Sequence, residues 1–375
     1  MEATFCINEH SPCVTAAAWS PDDFLAVGQK DGLIIIYYPF LTCTRRIRGH
    51  PDCPVSGNDV NSVAWSRDGR LASGSDDKSV KIWDPTTGDC LRTLTGHAES
   101  VLIVAWARDG RLASGSLDGS IRIWDSGQCI TLTGHSSQCL YEGGVRSISW
   151  SHDGWLASVF DNESVKIWDP NTGECMRTCE SEDVASVAWG CGGLVSGSLW
   201  PRCSVKIWDA SGQCSTLKGH TKDNPKCTCE FDEQCHVNKK NAGCPVLGHY
   251  DDIIWVDWIG NRLVSASRDQ TIKIWGSNEV CTINTGVDIA YASISCDGAY
   301  IAAAGTKCVR IWTSPTHTLV AELKLLIEQN RLRRAVRRRA GAAGYWEKVV
   351  GYEELGKDVT SLVLSALTAL GWETH

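Results

Sequence analysis

The sequence contains no apolar segment long enough to cross a lipid bilayer. Its longest run of apolar and small residues after the repeated region, Val359–Leu370, is shorter than the roughly 20 residues that a membrane-spanning helix needs. The first residues, MEATFCINEH, have neither the basic start nor the apolar centre of a secretory signal peptide. We therefore expect a protein that is not secreted and has no membrane span, located in the cytoplasm or alternatively in the nucleus.

Sequence signatures of catalysis and of general nucleic-acid binding are also missing. There is no glycine-rich phosphate loop and no coherent catalytic constellation. The net charge is −8; residues 317–375 carry 9 Lys and Arg against 7 Asp and Glu, which leaves 27 against 37 for residues 1–316. An acidic main body argues against nucleic-acid binding by that body. We expect neither an enzyme nor a protein with a small-molecule substrate or a cofactor.

What the sequence does contain is a recurring unit. The unit is clearest in Leu71–Asp84, LASGSDDKSVKIWD, and it returns at 112–125, 156–169, 194–209 and 263–276, with fainter copies at 25–38 and 301–312. Each copy joins a strand of small residues to a strand that alternates apolar and polar residues and ends in an aromatic residue. Seven copies predict a repeat architecture whose units pack against their neighbours.

Two dipeptides accompany the units. Gly-His pairs stand at 49–50, 96–97, 134–135 and 248–249, and Trp-Asp pairs stand at 83–84, 124–125, 168–169 and 208–209. With these motifs in register, residues 3–316 resemble the WD40-repeat β-propeller family. The resemblance implies an all-β fold: a seven-bladed WD40 β-propeller over residues 1–316, followed by a C-terminal helical extension over residues 317–375.

The family's blades are locked by a hydrogen-bonded chain of His, Ser, Asp and Trp. The complete sets in this sequence are His50, Ser73, Asp77 and Trp83; His97, Ser114, Asp118 and Trp124; and His249, Ser265, Asp269 and Trp275. Ser, His and Asp also form hydrolase triads, but their repetition in three blades beside a Trp favours a structural role. The other blades depart from the pattern. The first has Val27 and Tyr37 in place of Ser and Trp, the fourth has Asn162 in place of Asp, the fifth has Glu180 in place of His, and the seventh lacks His, Ser and Asp. We expect these blades to be locally less stable.

Two segments could close the ring by supplying the outer strand of the last blade. The family resemblance favours the N-terminal strand, Ala3–Asn8. The alternative is Thr318–Leu323, which continues directly from Trp312 but runs on into a helical pattern.

Cysteine is abundant, with 19 residues. Six of them, Cys43, Cys90, Cys129, Cys175, Cys214 and Cys281, follow the terminal aromatics at similar spacing, so that their equivalents in successive blades should be too far apart for disulfides. We expect free, mostly buried thiols. The segment 221–247 holds Cys227, Cys229, Cys235, His236 and Cys244, which could supply zinc ligands. Their spacing does not match paired C-x2-C knuckles, so the favoured interpretation is a polar loop without metal.

Extra residues are concentrated in four connections: within 51–58, within 136–143, around 200–203 and in 221–247. In a WD40-like ring these connections lie on one rim. Neutral insertion is one explanation, and a partner-binding face is the one we favour, because the turns of the opposite rim stay short. The candidate contact residues on the favoured face are Lys30, Asp76, Leu117, Asp161, Trp200, Arg202, Tyr250, Asp252 and Arg268. Trp200 beside Arg202 has the composition of an interface hot spot, although a buried loop anchor is equally compatible.

The tail changes to helical periodicity and contains an arginine cluster, with Arg331, Arg334 and Arg338 as candidate contacts. The cluster is either a solvated helix end without a partner or a contact site. As a contact site it could bind an acidic protein surface, RNA or an anionic membrane. We predict a non-catalytic scaffold or adaptor that binds other proteins or peptides in a multiprotein complex. The alternative is a ribonucleoprotein-associated component that contacts RNA through the arginine-rich helix.

Overall fold

The computed structural model describes residues 5–7, 13–38, 42–50, 57–125, 127–133, 144–160, 164–181, 183–190, 192–199, 203–209, 212–217, 249, 251–259, 262–276, 280–295, 298–305 and 308–313. These residues form seven antiparallel sheets of four strands each. The chain divides into two compact units, Met1–Trp312 and Thr313–His375. The predicted helical extension lies outside the described residues, and no helix within those residues could span a membrane.

Each sheet is one blade, and its strands are grouped below by their position in the sheet. The first strands are β2 (Val14–Trp19), β6 (Val60–Trp65), β10 (Val101–Trp106), β14 (Val145–Trp150), β18 (Val184–Gly190), β22 (Ile253–Ile259) and β26 (Tyr291–Ile294). The second strands are β3 (Leu25–Gln29), β7 (Leu71–Ser75), β11 (Leu112–Ser116), β15 (Leu156–Phe160), β19 (Gly193–Ser198), β23 (Arg262–Ser267) and β27 (Tyr300–Ala304).

The third and fourth strands complete the blades. The third strands are β4 (Leu33–Tyr38), β8 (Val80–Trp83), β12 (Ile121–Trp124), β16 (Val165–Trp168), β20 (Val205–Trp208), β24 (Thr271–Trp275) and β28 (Val309–Thr313). The fourth strands are β5 (Thr42–Arg48), β9 (Cys90–Leu94), β13 (Cys129–Leu132), β17 (Cys175–Cys179), β21 (Cys214–Leu217), β25 (Val280–Asn284) and, for the last blade, β1 (Phe5–Ile7).

The first strands form a closed inner ring, since each contacts the first strand of the next blade and β26 contacts β2. The predicted seven-bladed propeller is therefore confirmed. The last blade takes its outer strand from the start of the chain, with Phe5 opposite Ile311 and Ile7 opposite Val309 in an antiparallel pair. The competing segment, Thr318–Leu323, lies outside the described part of the chain.

The apolar core lies between the blades rather than inside any one of them. Between blades 1 and 2, for example, Ile34 and Ile36 pack against Val60, Leu71 and Trp83. The glycine of the repeat permits this approach: a Cβ on Gly74 would come within 2.7 Å of Val101 in the next blade, and one on Gly115 within 2.5 Å of Val145. Small residues in the second strand are therefore a packing requirement.

The expectation of buried thiols at the repeated cysteine position is wrong. The side chains of Cys90, Cys129, Cys175, Cys214 and Cys281 are free and exposed; the Cys43 side chain lies outside the described set. Most of them begin the fourth strand of a blade, where one strand edge has no neighbouring strand within the sheet. A single residue near the end of such a strand, Leu94 in β9 and Ile283 in β25, is buried. The apolar periodicity did not reveal which strand carries the open edge.

One acidic residue interrupts the inner ring. The register places Asp257 of β22 where the other first strands carry the small residues Ala18, Ala64, Ala105, Ser149, Ala188 and Ser293. In blade 2, Trp65 crosses to this position of the preceding blade and donates its indole N–H to the carbonyl of Ala18. Blade 7 has Ile294 instead of Trp, so the larger Asp257 coincides with a smaller residue in the next blade. Burial raises the pKa of Asp257 to about 6, although its carboxylate accepts the backbone N–H of Trp258 at 2.8 Å.

We predict that Asp257→Asn stabilises the protein above pH 6 and gives no advantage below pH 4. An aspartate whose folded pKa exceeds its unfolded value of about 3.9 favours the fold at low pH, and this contribution is lost as the pH rises through about 6. At pH 8 the ionised Asp257 lowers the free energy of unfolding by on the order of 2–3 kcal/mol. Replacing it with asparagine removes this penalty and should raise the melting temperature by several degrees.

Thermal unfolding of both proteins between pH 4 and pH 8 tests this. Asp153→Asn is the matched control, since the Asp153 side chain is 84% exposed and its change should leave the melting temperature unaltered. An Asp257→Asn gain that is the same at every pH would contradict the titration argument.

Candidate functional site

Three blades contain the complete hydrogen-bonded chain that the motifs imply. In blade 2, His50 Nδ1 lies 2.7 Å from Asp77 Oδ2 and His50 Nε2 lies 2.8 Å from Ser73 Oγ, which accepts the Trp83 indole N–H at 2.9 Å. Blade 3 repeats the chain with distances of 3.0, 2.8 and 2.8 Å through His97, Ser114, Asp118 and Trp124. Blade 6 repeats it with 2.9, 2.7 and 2.8 Å through His249, Ser265, Asp269 and Trp275.

The ends of each chain fix the direction of its hydrogen bonds. A carboxylate can only accept a hydrogen bond, and an indole N–H can only donate one. His50 therefore donates from Nδ1 to Asp77, its Nε2 accepts from the Ser73 hydroxyl, and Ser73 accepts from Trp83. All four polar groups are satisfied with a neutral imidazole, so burial leaves none without a partner.

The titration of blade 2 agrees with this direction. Burial lowers the pKa of His50, although Asp77 opposes the effect. Burial would raise the pKa of Asp77, but the hydrogen bond and charge of His50, together with two hydrogen bonds from Ser79, lower it to about 2. Because this folded pKa lies below the unfolded value, Asp77 stabilises the blade at neutral pH, and the contribution is lost as the pH falls through about 2.

The serines of these Ser-His-Asp sets are closed off from solvent. The Ser73, Ser114 and Ser265 residues are 0% exposed, and His50 is 1% exposed. Each serine oxygen is held by the indole at the same time as by the imidazole, so a substrate carbonyl has no path to it. In each set the hydrogen bonds join the serine of a second strand to the tryptophan of the third strand and to the histidine that precedes the first strand.

In blades 4 and 5 the bond between the tryptophan and the serine lies within the described residues, whereas His135 and Asn162 of blade 4 do not. Trp168 donates to Ser158 at 2.8 Å, and Trp208 donates to Ser196 at 2.9 Å. The register corrects one alignment: Cys179 lies opposite Val165 as Leu94 lies opposite Val80, so Glu180 follows Cys179 as Thr95 follows Leu94. Glu180 is therefore not the counterpart of His97. In blade 1, Val27 and Tyr37 are buried; Asn162 lies outside the described residues.

One backbone hydrogen bond recurs at the same edge of the ring in several blades. It joins the turn between the second and third strands to the connection that precedes the first strand of the same blade. We call this edge the upper rim and define it by the turns between second and third strands and the connections into first strands. The N–H of Asp76 donates to the carbonyl of Asp59 at 3.1 Å, and that of Leu117 donates to Ser100 at 2.9 Å. The same bond occurs in other blades, in the pairs Lys30–Cys13, Leu199–Asp183 and Arg268–Asp252. The two kinds of connection therefore lie on the same rim.

Four candidate contact residues occupy this repeated position: Lys30, Asp76, Leu117 and Arg268. Lys30, Leu117 and Arg268 are exposed, Leu117 by 43%, and Arg268 pairs with Asp252 at 3.2 Å. The other candidates, Asp161, Trp200, Arg202, Tyr250, Arg331, Arg334 and Arg338, lie outside the described residues. So do the considered metal ligands Cys227, Cys229, Cys235, His236 and Cys244, and the described part of the chain contains no cluster that could hold a metal ion.

The sequence reasoning missed a polar connection across the upper end of the inner ring. The Asn61 amide donates to Asp76 Oδ1 at 2.7 Å and to the carbonyl of Val101 at 3.1 Å. The Tyr291 hydroxyl of blade 7 donates to the carbonyl of Asn61 at 3.2 Å, and burial raises the pKa of this phenol. Blade 7 thus reaches past blade 1 to blade 2. The sequence gives no signal for this contact because the residues are 230 positions apart.

We predict that Ser114→Ala costs about 2–4 kcal/mol of unfolding free energy, because it leaves both His97 and the Trp124 indole without their partner. Ser196→Ala is the matched comparison, since Ser196 receives only the Trp208 indole; we expect about 1–2 kcal/mol there. Denaturant unfolding measures both values. Equal costs would contradict the idea that the complete chain stabilises its blade more than the partial one.

Comparison with known proteins places this geometry in a family. The family model described as "WD domain, G-beta repeat" matches residues 2–37, 41–84, 88–125, 127–169 and 244–276, which is more than half of the chain. Among curated proteins, the chain is 53% identical over 47 residues to vegetative incompatibility protein HET-E-1 of Podospora anserina, covering 12% of this chain and 3% of that protein.

Two further relatives have names unrelated to that of the first. Topless-related protein 4 of Arabidopsis thaliana is 29% identical over 98 residues, covering 25% of this chain and 8% of that protein. Polyadenylation factor subunit 2 of Gibberella zeae is 44% identical over 57 residues, covering 15% and 8%. The chain thus matches less than a tenth of the length of each of these three relatives. The repeat motifs, the seven four-stranded blades and the family match together establish that this chain belongs to the WD40-repeat family.

Proposed function

We propose that this protein is a non-catalytic scaffold that binds other proteins or peptides through its upper rim. The repeated backbone bond at Lys30, Asp76, Leu117 and Arg268 carries the proposal. In these four blades it holds one residue in the same backbone frame, while the side chain differs from blade to blade: an ammonium group, a carboxylate, an aliphatic group and a guanidinium. A rigid frame with variable exposed side chains is suited to recognition, since little conformational entropy is lost on binding.

The neighbouring turn residues support the same interpretation by contrast. Asp77, Asp118 and Asp269 are each the same residue type, and each is committed to its blade through a histidine. The position before each of them has no such internal duty common to all blades. The four added segments also begin and end at connections of the upper rim, which supports an elaborated binding face. The relatives that this chain matches have unrelated names, so their names do not identify its partner. Experiment must identify it.

We predict that Lys30→Asp, Leu117→Asp and Arg268→Asp, combined in one chain, reduce recovery of the partners of the intact protein by about tenfold or more. Each substitution copies the residue of blade 2, Asp76, so the turns should keep their backbone bond. Quantitative affinity capture with the full chain measures the loss. Arg67→Asp with Arg108→Asp, in exposed turns of the opposite rim, is the control for added negative charge.

A chain lacking 221–247 tests the largest added segment separately. If it recovers the same partners at the same level, this segment is not the recognition element. If the triple upper-rim variant recovers the partners unchanged, or if the opposite-rim control loses them to the same extent, the proposed face is wrong.

RNA contact through Arg331, Arg334 and Arg338 is the second candidate, supported by the basic tail and by similarity to a polyadenylation factor subunit. It predicts RNA binding that falls steeply with salt and disappears on deletion of 331–339. Fluorescence anisotropy with a labelled single-stranded RNA measures both. Binding that survives the deletion would remove the tail from the mechanism.

A further inference from the structure

A second surface lies at the opposite edge of the ring, in the groove between blades 4 and 5. We define this edge, the lower rim, by the turns between first and second strands and between third and fourth strands. The groove has a volume of about 580 Å³, and its apolar lining includes Trp155, Ile167, Met176 and Trp189. Trp155 is 36% exposed and Met176 is 55% exposed. Two of the four most exposed large apolar side chains among the described residues therefore line one groove.

Blades 2 and 3 carry a cation at the position equivalent to Trp155. Blade 1 instead carries Phe24, whose ring lies 6.4 Å from that of Trp65. The residue before the second strand reaches the first-strand Trp of the next blade: the Arg70 guanidinium lies 4.9 Å from the ring of Trp106, and that of Arg111 lies 5.2 Å from Trp150. These cations shield apolar rings with a charged group that faces water. In blade 4 the same position holds Trp155, which adds an apolar surface beside Trp189 instead of covering it with a charge.

The next blade leaves the groove open. Gly192, in its turn between first and second strands, and Gly193, the first residue of β19, both line the groove. In the related groove between blades 1 and 2, Asp68 and Arg70 line the corresponding place. Two glycines on one wall and a tryptophan on the other therefore line the blade 4–5 groove.

The charges near the groove indicate what kind of segment fits it. Asp209 lines the groove and is exposed, and the exposed Asp153 and Glu174 lie two residues from Trp155 and Met176. Arg177 is the basic residue in the lining. The cations nearby are the Arg177 guanidinium and the Lys206 ammonium, which lies 5.5 Å from the ring of the lining Trp208. The His152 ring lies 3.6 Å from Asp153. Three exposed carboxylates thus face two permanent cations around the apolar floor, so a complementary ligand has a bulky apolar side chain and positive flanks.

We propose that the blade 4–5 groove docks a partner segment with one or two bulky apolar side chains flanked by lysine or arginine. The apolar side chain packs between Trp155, Met176 and Trp189, where a flexible thioether adapts to its shape. The flanking cations face Asp153, Glu174 and Asp209. This site is separate from the upper rim, so the two could hold different segments at once.

The chain supplies its own matched variants. Trp155→Arg reproduces the residue of blades 2 and 3 at this position and should fold, with the new guanidinium over Trp189. Met176→Ser copies Ser215, which follows Cys214 as Met176 follows Cys175. Leu91→Ser is the control, because Leu91 is a 51% exposed residue at the same place in blade 2.

The test uses the full chain and three fluorescein-labelled synthetic peptides: a Leu-Phe pair flanked by lysines, the same pair flanked by glutamates, and a Gly-Ser pair flanked by lysines. We expect the first to bind, with affinity reduced about tenfold or more by Trp155→Arg and reduced by Met176→Ser and by salt. Leu91→Ser and Leu117→Asp should bind it as the intact chain does. Retention with Leu117→Asp separates this site from the proposed upper-rim function.

Three results would overturn the proposal. One is absent binding of the lysine-flanked Leu-Phe peptide. Another is a loss of discrimination: the Trp155→Arg variant binds this peptide as tightly as the intact chain does, or the intact chain binds the glutamate-flanked peptide as tightly as the lysine-flanked one. The third is self-association in sedimentation that Trp155→Arg abolishes, because the occupant would then be a second copy of the chain.

Discussion

The ring depends on the antiparallel pairing of β1 with β28, which joins residues about 300 positions apart. Every other blade takes its four strands from a continuous stretch of chain, so its sheet can form from local contacts. The last blade cannot, and the entropy of closing the whole chain must be recovered by other contacts. These are three opposed residue pairs, apolar packing against blade 6, and the stack of Tyr300 on Trp19 of blade 1. Closure also seals the inner ring, because β26 then contacts β2.

The polar chains and the apolar interfaces divide the work of stabilisation unevenly. Blades 2, 3 and 6 have His, Ser, Asp and Trp locked by short bonds, whereas blade 7 has Ile294 in the first-strand tryptophan position and is held mainly by packing. Asp257 lies at the junction between a locked blade and this closing blade. Its partly buried carboxylate opposes folding at neutral pH, so the junction next to the closing blade also bears an electrostatic cost. The Tyr291 bond to blade 2 offsets part of that weakness by bridging blade 1.

Much of the fold could be predicted from the sequence because the repeat carries its own alignment. The Trp-ended units fix the third strands, the Gly-His pairs fix the entries to the first strands, and together they identify Ser73, Ser114 and Ser265 before any coordinates are considered. The exposed thiols could not be predicted, since strand alternation does not tell which edge is open. The blade 4–5 groove also escaped prediction: it arises from Trp155 and a glycine turn that are distant in sequence and meet only across two blades. The functional residues of the added segments and tail remain predictions.

The exposed cysteines have a consequence for how the protein must be handled. Cys90, Cys129, Cys175, Cys214 and Cys281 occupy corresponding places around the outside of the ring, and packed sheets are separated by about 10 Å, beyond the reach of a disulfide within one molecule. Oxidation therefore cannot staple the ring internally at these points. It would instead couple one molecule to another at several points around the circumference, producing branched covalent oligomers whenever the reductant is exhausted.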